Sequence, residues 1–176
     1  MARPYQPSLL RLLHGVTALL VPLAWLSGLA VYSRYDGRWG RPPVPPWGDW
    51  IDIHGTVGVL LWPAAALFGL YALSLGRRRL SHPANAAALL GLALAVGSGK
   101  LMQENWLRDG QWHHPVYSLH LLAWLVIAGA VLGHVGGVLG RGGVPLARSM
   151  FSLAARADDR PRHWPRQVRR FFAKGS

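Results

Sequence analysis

Tyr117–Gly137, YSLHLLAWLVIAGAVLGHVGG, decides the fold. It carries no Asp, Glu, Lys or Arg, yet it holds two histidines, His120 and His134. At about 1.5 Å per residue, roughly 20 apolar residues cross a hydrocarbon core of ~30 Å, so the stretch reads as a transmembrane helix. Ionisable groups inside such helices are costly and mark functional sites. The two histidines are fourteen residues apart. At about 100° per residue that is only ~40° short of four full turns, so both lie on nearly one stripe, roughly 21 Å apart along the axis.

Three further apolar segments precede it, at Leu9–Tyr32, Ile51–Leu75 and Pro83–Leu101, and the fourth span as a whole covers Val116–Leu139. The expected fold is an all-α, integral membrane four-helix bundle over residues 1–140, followed by a basic tail over 141–176. Hydrophobic residues make up 51% of the chain and charged ones 15%, a balance unusual for a soluble domain. The first segment reads as a span and not as a cleaved signal. It is long for a signal core, His14 lies near its start, and a loop rich in Pro and Trp follows it. Pro63 falls inside the second span, where a kink is expected.

Charge fixes the expected orientation. The N-terminus, the Arg77–Arg79 connection and the tail together hold fourteen of the nineteen Lys and Arg residues and two of the seven acids. The entire net charge of +12 therefore sits on one side, and the two longer loops of the other side are neutral. The positive-inside rule makes the charged side cytoplasmic, with both termini inside. This distribution accounts for the basic character without nucleic acid. The tail reads either as a segment contacting lipid headgroups or as a dock for an acidic partner. Arg166, Arg169 and Arg170 with Phe171 and Phe172 suit a short interfacial amphipathic helix.

With that topology, depth alone sorts four histidines into pairs. His54, early in the second span, matches His120 near the outer face. His14, early in the first, matches His134 nearer the cytoplasm. There is no cysteine, which excludes disulfides, thiolate ligands, iron–sulfur clusters and covalent haem attachment. The pairs lie too far apart to form one tetrahedral zinc site. Each pair suits the two axial positions of a b-type haem, giving an outer haem on His54/His120 and an inner haem on His14/His134. Bis-imidazole iron has no open coordination position and suits electron transfer.

Other residues read two ways. Gly15, Gly55, Gly58, Gly133, Gly136 and Gly137 either make room for a porphyrin or serve ordinary helix packing. Lys100 either pairs with Glu104 or neutralises an outer haem propionate, a role Arg34 could share. Arg11 faces an inner propionate or the lipid headgroups. His82, His113, His114 and His163 read as solvated.

The segments RLLHG around His14, DIHGTVG around His54 and Tyr117–Gly137 resemble the bacterial di-haem b-type cytochromes. These are the cytochrome b561-like group and the cytochrome b subunits of nickel–iron hydrogenase and formate dehydrogenase. The likeness covers about residues 8–140. SGKLMQENW, from Ser98 to Trp106, is also similar to cyanobacterial cytochrome b/b6-domain proteins. Short loops and the lack of an additional terminal span depart from the hydrogenase and formate dehydrogenase subunits. The resemblance implies electron exchange between a membrane quinone and a redox partner, in a bacterial plasma or thylakoid membrane. His134, Arg141 and Arg11 form the implied inner quinone neighbourhood. The alternative function is a haem-containing membrane anchor in a larger redox complex.

Overall fold

A computed structural model describes residues 4–43, 47–103 and 115–173. Four long helices follow in order: α1 (Ser8–Tyr35), α2 (Trp50–Leu73), α3 (Pro83–Gln103) and α4 (Pro115–Ser149). A short helix, α5 (Trp164–Ala173), closes the chain, and a 3-10 turn, Arg77–Ser81, links α2 to α3. No strand occurs among the described residues. All four long helices are long and apolar enough to span a bilayer.

Local chemistry sets the helix ends. Asp49 caps α2, its Oδ1 accepting the Ile51 and Asp52 amides at 3.1 Å each. α2 runs through Pro63 as one helix. α3 opens on Pro83, whose missing N–H costs nothing at a helix start. α4 is longer than the Val116–Leu139 span. The helix continues past Leu139 to Ser149 across a break at Gly143, which has φ 58° and ψ −160°. Glycine takes that conformation without strain, and Pro145 then pre-sets the turn beyond it. The stretch from Arg141 to Ser149, expected in the tail, is therefore helical.

The helices pack most closely as two hairpins, α1 with α2 and α3 with α4. A Cβ on Gly91 of α3 would stand 3.0 Å from Ile127 of α4, so a small residue is what permits this approach. Between the hairpins, Trp25 of α1 and Trp124 of α4 stack at 4.4 Å and 11°. Each indole Nε1 donates to the other's backbone carbonyl at 3.2 Å. Large apolar side chains such as Leu19, Leu70 and Leu132 point outward, at 65, 67 and 74% exposure. Lipid, not a protein core, covers such surfaces in a spanning bundle.

The two ends of the bundle are tied differently. At the end of α1, Asp36 forms an ion pair with Arg38 at 2.8 Å and accepts a 2.9 Å hydrogen bond from the Tyr117 hydroxyl. That joins the α1–α2 loop to the start of α4. At the other end, the chain after α4 folds back on the start of α1. Arg11 donates to the Ser152 and Ala154 carbonyls, and Asp159 accepts from Tyr5 and from the Ser8 amide.

Candidate functional site

The four histidines meet in two pairs. The rings of His54 and His120 face each other with centroids 6.0 Å apart, and those of His14 and His134 are also 6.0 Å apart. Two imidazoles on opposite sides of one metal ion, with metal–nitrogen bonds of about 2 Å, put their ring centres roughly 6 Å apart.

Three of the four rings, those of His54, His120 and His134, each have a polar neighbour that the sequence reading did not single out. Ser27 Oγ lies 3.1 Å from His54 Nδ1, and it donates its own hydrogen to the Leu23 carbonyl at 2.8 Å. With that hydrogen committed, Oγ accepts from His54 Nδ1–H. Ser98 repeats the arrangement. Its Oγ is 2.9 Å from His120 Nδ1 and donates to Leu94 O at 2.5 Å. At the inner pair, Asn85 Nδ2 donates to Arg79 O at 2.7 Å, which turns Oδ1 toward His134 Nδ1 at 2.7 Å. With these oxygens accepting, Nδ1 carries the proton and Nε2 keeps its lone pair. That is the tautomer a metal-binding histidine needs, held by the kind of outer partner that metal sites use. The available signal was polarity at matched depth: Ser27, Ser98 and Asn85 are polar positions in apolar helices, level with the histidines they touch.

The outer pair borders a cavity of about 520 Å³. That lies within the ~300–1,000 Å³ of typical small-molecule sites. All four long helices contribute to its walls, with Trp25, Trp62, Leu92 and Trp124 supplying apolar surface. Gly55 and Gly58 line it, and a Cβ at either would meet nothing within 4 Å. Gly28 and Gly99 are small for a different reason. A Cβ there would crowd the rings of His54 and His120, at 3.1 and 3.4 Å. Lys100 lines the same cavity, near enough to serve a carboxylate at its edge.

Some expected residues stand elsewhere. Arg11 is 8% exposed and engaged with the Ser152 and Ala154 carbonyls, so its guanidinium serves the tail and not the headgroups. Arg34 lies over the Tyr35 ring and reaches the Gly48 carbonyl at 3.4 Å. His82, expected in solvent, is half-buried, and its Nδ1 is buried without a hydrogen-bond partner among the described residues. The reason is Gly137, over which both His82 and Arg141 pack, at 3.4 and 3.3 Å from where a Cβ would be. Glu104, His113 and His114 lie outside the described residues.

Among the described residues no three His, Asp or Glu side chains converge on a point. At His54 and His120, a facing imidazole pair beside an apolar, glycine-lined cavity is the donor set that an iron with a porphyrin in its remaining positions would need. Residues 5–153 match the family model of prokaryotic cytochrome b561.

The chain belongs to that family.

No curated protein and no solved structure matches it. Membership in the cytochrome b561 family, together with four apolar helices, makes this a multi-pass membrane protein that binds b-type haem and transfers electrons. The match takes in all four spans and ends at Leu153, within the segment that returns to α1.

Proposed function

We propose that this cytochrome holds two bis-histidine b-type haems, one on His54 and His120 and one on His14 and His134. They would pass electrons across the membrane between a quinone and a redox partner. The observation that carries the reading is the matched pair of facing rings, each 6.0 Å between centroids. Three of the four histidines, in addition, have Nδ1 within 2.7–3.1 Å of a side-chain oxygen.

Bound at each pair, haem supplies reversible one-electron chemistry with no position left for a substrate. The chain's own part is to hold and insulate it. Ser27, Ser98 and Asn85 keep the imidazoles in the ligating tautomer. The cavity's tryptophans and leucines keep water from the outer site, and Lys100 at that cavity suits a propionate. On the inner side, Arg141 stands near His134 and Arg79 near His14. Cations at that end favour carboxylates of the inner group, or a quinone oxygen beside His134 and Arg141. The charge bias of the sequence supports termini on the cytoplasmic side.

The test is a redox-titrated visible spectrum of the purified protein with a haemochrome count, repeated with added quinol. Two haems per chain, titrating as two b-type centres and reduced by quinol, are expected. A single haem per chain overturns the two-site reading, and haems that quinol leaves oxidised overturn the quinone assignment.

A further inference from the structure

We propose that α5 is an in-plane anchor that binds anionic lipid headgroups of the leaflet nearest the chain's termini. α1 has 28 residues and rises about 42 Å, longer than a ~30 Å hydrocarbon core, so its first turn reaches the headgroup layer. The tail is fastened to that first turn. Asp159 Oδ2 accepts from the Tyr5 hydroxyl at 2.5 Å and from the Ser8 amide at 2.6 Å, and Trp164 Nε1 donates to Ser8 Oγ at 2.8 Å. Trp164 opens α5, so the helix begins at headgroup height and is held there.

Its register suits that position. At about 100° per residue, Trp164 and Val168 fall on one arc of the ten-residue helix, and Arg166 and Arg169 on the opposite one. A helix with one apolar arc that includes a tryptophan and one arginine arc is the pattern of interfacial helices on anionic membranes. The segment leading to it carries Phe151 and Leu153 at 73 and 99% exposure. Such side chains at headgroup height fit an acyl boundary better than the aqueous surface of a soluble protein. A soluble acidic partner would need the arginine arc alone and would leave these groups in water.

The chain has no native cysteine, so one label can be placed cleanly. The test uses full-length haem-loaded protein with a spin label at Val168→Cys or at Arg169→Cys. Each is reconstituted into phosphatidylcholine bilayers with or without phosphatidylglycerol. In anionic bilayers the label at 168 is expected to collide with oxygen and lose access to a water-soluble nickel chelate, while the label at 169 keeps that access. Protection at 168 is expected to fall in pure phosphatidylcholine and in high salt. Equal chelate access at both positions in anionic bilayers overturns the proposal and leaves the face to an acidic protein. Equal protection at 168 in both lipids also overturns it, because headgroup charge would then play no part.

Discussion

Ser98 Oγ lies 2.9 Å from His120 Nδ1 and is itself fixed to its own helix by a 2.5 Å hydrogen bond to the Leu94 carbonyl. The serine thus reads as an acceptor, and the imidazole keeps its Nε2 lone pair. Ser98→Ala removes that acceptor and frees the ring to rotate. Loss of an outer-shell partner of this kind costs about 10- to 100-fold in affinity. The expected outcome is faster loss of the outer haem to apomyoglobin, with the inner haem unaffected. Equal transfer rates for the variant and the parent protein would show that Ser98 is only a packing residue.

His120→Ala and His134→Ala should each remove one haem, and a different one. The haemochrome count is expected to fall from two per chain to one in both variants. The redox titration should keep a different midpoint in each. Retention of both haems in either variant would refute the pairing.

The helices and the proximity of the histidine pairs were legible in the sequence because hydropathy acts along the chain. Span length gave the helices, and depth paired His54 with His120 and His14 with His134. The partners of those rings were harder to read. Ser27 and His54 touch across a helix pair, and a lone serine in an apolar run signals a polar position at that depth but not which ring it faces. The contacts of Arg11 were hidden for the same reason. Its contacts, Ser152 and Ala154, lie more than 140 positions away in sequence. The extension of α4 past Leu139 was hidden by Gly142, Gly143 and Pro145, residues that ordinarily end helices, and here only a change of direction occurs at Gly143.

Trp25 and Trp124 clasp the two hairpins by a stack and two reciprocal hydrogen bonds. Trp124→Phe keeps an aromatic ring but deletes one N–H donor, at a cost of about 1 kcal/mol. Trp124→Ala removes the stack as well, at about 3–5 kcal/mol. Thermal unfolding in detergent, followed by circular dichroism, should rank the parent above Trp124→Phe and Trp124→Ala lowest. A Trp124→Ala variant as stable as the parent would mean that the hairpins are held together without the clasp.

Asp159 gives the attachment of the tail a pH dependence. Burial works against its charge, but hydrogen bonds from Tyr5, Gln167 and Ser8 outweigh that and hold the carboxyl below its ordinary value of 3.8. The folded form therefore favours the carboxylate. Its contribution is fully present above the unfolded value and is lost as pH falls through the depressed folded value. Hydrogen exchange at the Ser8 amide should stay slow from neutral pH down to about pH 4, after allowance for intrinsic exchange. Below that it should accelerate as the carboxyl takes up its proton. Asp159→Ala removes the carboxylate that accepts the Ser8 amide at the start of α1, where Pro7 supplies no side-chain cap, at a cost of about 1 kcal/mol. In that variant Ser8 should exchange fast at every pH. Protection of Ser8 that is the same in both proteins and flat through pH 4 would mean that the carboxylate does not hold the tail in place.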